Sequence, residues 1–146
     1  MVKKLLEALK RRLGDHLISL LIFGSTARED FKEESDIDIL LIVKDKREAE
    51  REYLKAKLKI EGISPPFFSS IIATERELRE DPYILLDIIE DHIMIYDPYN
   101  TAQRMLSLLK ERLEDLGAKR VWLDEKRWYW NIKPDWRPGE VVEIKL

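Results

Sequence analysis

Cysteine is absent from the 146-residue chain, which excludes a disulfide framework and every thiolate metal site. Histidine is almost absent as well. His16 and His92 are the only two, too few for a histidine-rich metal cluster, so only hard, oxygen-ligated metals stay open. No run approaches the roughly 18 apolar residues of a membrane span. The opening stretch MVKKLLEALKRRLG is a basic amphipathic helix pattern without the apolar core or small-residue cleavage site of a secretory signal, and a cytoplasmic location is expected. Charge of one sign does not dominate: 26 basic residues face 29 acidic ones, so no global basic field marks a nucleic-acid coat protein. The five glycines and the 38% charged fraction, rich in Glu, Lys and Arg, match the bias of hyperthermophile proteins, and a thermophilic source is expected.

What the chain does have is 45% hydrophobic content, enough for one respectable core and a single compact body. Val2, Leu5, Leu6, Leu9 and Leu13 recur at helical spacing, with Gly14 as a stop. HLISLLIF (16–23) is short and uniformly apolar, as a strand buried on both faces would be, and IDILLIV (37–43) reads the same way. Between them STARED starts a short helix, with Thr26 and Glu29 at capping-box spacing. Residues 46 to 61 carry a thin apolar stripe and predict a mostly solvated helix. SPPFFSSIIAT (64–74) breaks at its prolines and continues as a third strand, ERELRE and YILLDIIED read as helical, and HIMIYD as a fourth strand. Residues 101 to 116 predict a long helix ending at Gly117, and the remainder, with all four tryptophans, a hairpin and an extended end. The expected class is α+β: a small mixed sheet flanked by helices, with residues 1–117 as the main domain and 118–146 as a tryptophan-rich hairpin and tail packed on it.

The chemistry concentrates in LIFGSTAREDFKEESDIDILLIV (21–43). Side chains at i and i+2 of a strand share a face about 6 to 7 Å apart, so Asp36 and Asp38 project together while Ile37 and Ile39 face the core. Two carboxylates aimed at one point repel unless a cation lies between them, and an oxygen-only site suits Mg²⁺ or Mn²⁺. Mg²⁺ is commonly shared between carboxylates and substrate phosphates. Gly24-Ser25 supplies a candidate phosphate turn, joining a strand to a helix N-terminus, with Arg28 one turn further on. Each half alone has a plainer explanation, a bare turn or a solvated strand start; their succession at this spacing is what points to a metal-phosphate site.

FGSTARED followed by SDIDILLIV resembles the signature of the DNA polymerase beta nucleotidyltransferase superfamily, and within it the minimal nucleotidyltransferases. The resemblance implies a polymerase beta palm-like fold. It further implies Asp36 and Asp38 as catalytic ligands of two Mg²⁺ ions, Gly24, Ser25 and Arg28 as nucleotide-binding residues, and ATP as the nucleoside triphosphate. NMP transfer to a hydroxyl acceptor would release pyrophosphate. It also implies a possible partner, a small helical HEPN protein that the transferase would silence in a toxin-antitoxin pair.

The family's third carboxylate, expected on a later neighbouring strand, has no counterpart in PFFSSIIAT. Ser69 or Ser70 stands near that position, and Glu75 follows just beyond the strand. Asp87, Glu90 and Asp91 are expected in solvated or capping roles. Three accounts stay open: Glu75 substitutes, a partner supplies the group, or the domain binds nucleotide without transferring it. Trp122, Trp128, Trp130 and Trp136, interleaved with Lys and Arg, are expected to pack over the sheet, with base stacking or nucleic-acid binding as the less favoured alternative. His16 and His92 are assigned structural roles.

Overall fold

The computed structural model describes residues 1–24, Ala27 and residues 36–146. The helix expected over STARED therefore lies outside the described residues, Ala27 apart. The elements run α1 (Val2–Leu13), β1 (Leu17–Phe23), β2 (Ile37–Val43), α2 (Lys46–Ile60), β3 (Phe68–Thr74), α3 (Glu75–Glu80), β4 (His92–Tyr96), α4 (Thr101–Leu116), β5 (Lys119–Trp122) and β6 (Trp128–Asn131). Strands β1 to β4 form one sheet in the order β3-β2-β1-β4, and β5 and β6 form a separate hairpin. β1 pairs antiparallel with β2 and β4, whereas β2 and β3 are parallel and joined through α2, the crossover that parallel strands require. The sheet is thus mixed and flanked by helices.

β1 and β2 read as continuous apolar runs because both sheet faces are covered. On one face α1 and α2 press Leu5, Leu9, Ala49 and Tyr53 against Leu20, Ile22, Ile39 and Leu41. The other face carries Ile18, Leu21, Leu40, Ile42 and Ala73, and is covered by Leu78, Leu85, Met105 and Leu109 together with Ile144 from the chain's end. Along β2 the alternation is strict: Ile37, Ile39, Leu41 and Val43 turn to the first layer, Leu40 and Ile42 to the second.

YILLDIIED departs from expectation. Pro82–Asp87 forms a 3₁₀ helix rather than an α-helix. Asp81 and Pro82 start it close behind α3, and Leu85 O accepts from both Ile88 N and Ile89 N at 3.1 and 2.8 Å, closing the helix at its C-terminal end. Among the described residues no helix is long and apolar enough to cross a membrane.

Candidate nucleotide site

The end of β1 and the start of β2 meet at one edge of the sheet. Phe23 pairs with Asp38, so Gly24 leaves the sheet directly beside that carboxylate. Gly24 has φ of 73°, in the left-handed region, and a Cβ built on it would lie 2.3 Å from Asp38 Oδ2. Glycine is thus required twice over, by the backbone conformation and by the carboxylate packed against its Cα. Asp36, one residue ahead of β2, is exposed, while Asp38 is half-buried on the same side of the strand. The fold brings Gly24, Asp36 and Asp38 together as the sequence implies; Ser25 and Arg28 lie outside the described residues.

Register identifies the neighbours. Ser69 is the parallel partner of Asp38 and Phe23 its antiparallel partner, and Phe23 pairs in turn with His92. Paired residues share a face. Ser69, Asp38, Phe23 and His92 therefore form one row across the sheet at successive strand spacings of about 4.8 Å. Ser70 pairs with Ile39 and faces the opposite layer, beside Tyr53. Burial raises the pKa of the Tyr53 phenol, an effect the Ser70 hydroxyl opposes. Of the two serines, only Ser69 stands beside the aspartates.

Glu75 does not reach in. β3 runs parallel to β2 with Val43 opposite Thr74, so Glu75 begins α3 at the far end of the sheet, roughly 20 Å of extended chain from Ser69. There it bonds Arg79 at 3.0 Å. A direction error accounts for the expectation: in a parallel pair both strand starts lie together, and a residue following β3 is carried away from the site.

β3 is an edge strand, and its site end is pinned by α2. Lys57 Nζ donates to Phe68 O at 2.8 Å, Phe68 N donates to Glu61, and Ile37 N bonds Phe67 O at 2.8 Å. These contacts fix Ser69 against Asp38 and occupy the Glu61 carboxylate.

On the aspartates' side of the sheet the β5–β6 hairpin closes a cavity of about 700 Å³, whose lining includes Phe23, Gly24, Tyr83, Asp87, Lys126, Trp128, Tyr129 and Trp130. Trp130 Nε1 donates to Leu86 O at 3.0 Å, docking the hairpin on the 3₁₀ turn. Arg120 lies 4.6 Å from the Trp122 ring and 4.8 Å from the Trp128 ring, a stack that stiffens the hairpin. The tryptophans divide. Trp130 packs on the second core layer as expected, whereas Trp122 and Trp136 are about half exposed.

The sequence does not single out Tyr129, and it marks Lys126 and Trp128 only through the less favoured stacking role of the basic, tryptophan-rich tail. Their proximity to the glycine turn depends on pairings across long chain separations that no local motif announces. His92 Nδ1 lies 2.8 Å from Ile88 O, a contact in keeping with the structural role assigned to it.

Asp38 sets a carboxylate against the Gly24 turn, and Asp36, two residues ahead and exposed, offers a second, so the donors are all oxygen. That donor set suits Mg²⁺, which takes only part of its shell from protein. Among the described residues no group of three or more His, Cys, Asp or Glu is placed to hold a metal alone.

The sequence profile of the nucleotidyltransferase domain matches residues 2–129. The chain is 30% identical over 136 residues to "Putative protein adenylyltransferase MJ1305" of Methanocaldococcus jannaschii, covering 87% of this chain and 88% of that one. In structure it resembles the spectinomycin adenyltransferase AAD(9) of Enterococcus faecialis, with a TM-score of 0.52 at 18% identity, covering 78% of this chain but only 66% of that enzyme. It also resembles a chain of a mutant toxin-antitoxin MntA-HpeT, with a TM-score of 0.50 at 14% identity, covering 79% of this chain and 91% of that one. At such identities these two likenesses speak for the fold alone. The profile match, spanning most of the chain, and the archaeal relative decide the family: this chain belongs to the nucleotidyltransferases of the polymerase beta-like fold.

Proposed function

We propose that the chain transfers AMP from ATP to a hydroxyl on a protein, with Asp36 and Asp38 holding Mg²⁺ and the Gly24-Ser25 turn, aided by Arg28, holding the triphosphate. The observation that carries this reading is the abutment of Asp38 on Gly24, which sets a carboxylate against a turn that only glycine can make. When bound, the divalent ions would neutralise phosphate charge and favour in-line displacement at phosphorus. The chain's own part is to place and orient. The Gly24 backbone turn lets the phosphates approach closely, and Phe23, packed on the second core layer, fixes the rigid strand behind it. In the transfer the acceptor oxygen bonds to the α-phosphorus, the bond from that phosphorus to the β-bridging oxygen breaks, pyrophosphate leaves, and the hydroxyl proton passes to solvent.

A protein acceptor is favoured by the name of the archaeal relative, and a toxin partner by the toxin-antitoxin context of a protein sharing the fold, the HEPN class itself resting on the sequence resemblance. The test is transfer from ATP labelled at the α-phosphate, with Mg²⁺ and a HEPN protein encoded beside this chain. Label should appear on the partner from α-labelled and not from γ-labelled ATP, and Asp38→Asn should abolish it. Transfer undiminished in Asp38→Asn would overturn the site assignment.

Ser69 favours a second reading, a nucleotide-binding module that does not transfer, because a neutral hydroxyl stands where a carboxylate beside Asp38 would complete the ligand set. The readings separate on Ser69→Asp. Wild type transfers under the first; under the second only Ser69→Asp does.

A further inference from the structure

The β5–β6 hairpin is built more stiffly than a cover over a sheet needs. Its connection is folded by Asp124, whose Oδ1 accepts from Lys126 N at 2.9 Å and Arg127 N at 2.7 Å, and whose Oδ2 accepts from Arg127 Nε at 2.7 Å. Those bonds depress the Asp124 pKa, first through Lys126 N–H and then through Arg127. They also commit the Arg127 guanidinium to the loop. The Lys126 ammonium makes no hydrogen bond or ion pair among the described residues beyond a through-space attraction to Asp124. Trp128 is held by Arg120 and by an edge contact with Trp130, ring centroids 6.1 Å apart. Tyr129, in the same cavity, is 50% exposed.

A cavity that begins at Gly24 and ends on preorganised aromatic rings has the size and make-up of a small-molecule site. One side is the glycine turn; the other offers flat π surface with a cation at its rim. That pairing matches a nucleotide, a polyanion joined through a sugar to a planar ring. We propose that the cavity between Gly24 and the hairpin is the nucleobase subsite, with Trp128 as its stacking wall and Lys126 drawn to the phosphates. The assignment rests on the reading of Gly24 as the phosphate turn. It gives the tryptophan-rich hairpin a role in holding substrate through stacking, which tolerates different bases because every base has a π face.

The test is calorimetric titration, in Mg²⁺, of ATP and of inorganic tripolyphosphate into wild type, Trp128→Leu, Trp128→Phe and Asp38→Asn. Trp128→Leu keeps apolar bulk without a ring and should weaken ATP binding by roughly 5- to 150-fold, the range that base stacking on an aromatic side chain carries, while tripolyphosphate binding stays unchanged. Trp128→Phe should bind ATP nearly as wild type does. Unchanged ATP affinity in Trp128→Leu would overturn the subsite, as would equal losses for ATP and tripolyphosphate. Asp38→Asn reports separately on the phosphate site: it should weaken both ligands, and its failure to do so would remove the functional reading rather than the aromatic one.

Discussion

At the scale of single residues, two glycines separate strain from function. Gly14 and Gly24 both have positive φ, 53° and 73°, so alanine at either is strained by about 1–3 kcal/mol. Their surroundings differ. A Cβ at Gly14 meets nothing within 4 Å, whereas at Gly24 it would strike the Asp38 carboxylate at 2.3 Å. Gly14→Ala should therefore lower stability by about 1–3 kcal/mol in a denaturant melt and leave nucleotide binding intact. Gly24→Ala should lose Mg²⁺-dependent ATP binding at least tenfold, because the carboxylate or the turn must move; equal binding in the two variants would detach Gly24 from the site. This part of the site was legible in the sequence because Gly24, Asp36 and Asp38 sit on adjoining ends of consecutive strands. Glu75, one of three accounts left open for the third carboxylate, lies at the far end of β3, because strand direction, unlike strand existence, is not written in a run of apolar residues.

At the scale of elements, Asp97 joins a helix to the sheet. Its Oδ1 accepts from the fully buried Ser19 hydroxyl at 2.7 Å and from Ala102 N at 3.1 Å, and its Oδ2 from Gln103 N at 3.0 Å. One carboxylate satisfies a buried donor and the first free N–H groups of α4, where the helix dipole also favours negative charge. Asp97→Ala should cost about 2–4 kcal/mol, a lost cap plus an orphaned hydroxyl, and Ser19→Ala in the same chain should recover part of it. The cycle is read from urea midpoints, and simple additivity would sink the coupling. A second element-scale expectation concerns α3, capped reciprocally by Thr74 and Glu77. Thr74 N–H, then Lys46, hold the Glu77 pKa below its ordinary value of 4.5. The stabilisation is thus complete above that value and is lost as pH falls through the lower folded one. The stability difference between wild type and Glu77→Gln should shrink from about pH 6 to about pH 3 in thermal melts, and a constant difference would remove Glu77 from the acid response. Strands β1 and β2 were readable because burial on both faces leaves an unbroken apolar run. Pro82–Asp87 departs from expectation because apolar spacing does not distinguish a short 3₁₀ helix from the start of an α-helix.

At the scale of the whole molecule, the chain's end completes the layer that supports the site. Ile144 is 2% exposed within the second core layer, and Leu146 N bonds Arg79 O at 2.9 Å, tying the tail across α3. Tyr83 Oη accepts from Ile144 N at 3.3 Å, and Tyr83 also lines the cavity beside Gly24. Tail, 3₁₀ turn and hairpin are therefore one supported unit, whose pieces are more than 40 residues apart in sequence where Trp130 meets Leu86. That separation is why the cavity wall stayed illegible while the aspartates did not. Within the tail the burden falls on one side chain: Val141 is 89% exposed and Ile144 almost wholly enclosed. Ile144→Ala should cost about 2–4 kcal/mol, by lost transfer energy and the cavity left behind. Val141→Ala should stay within about 0.5 kcal/mol of wild type. Chemical-denaturant melts give both values. Because Tyr83 meets both the Ile144 backbone and the cavity, Ile144→Ala should also loosen the hairpin side of the site, seen as weaker ATP binding below the melting temperature. Full-strength ATP binding in a destabilised Ile144→Ala chain would mean that the tail supports the core without reaching the site.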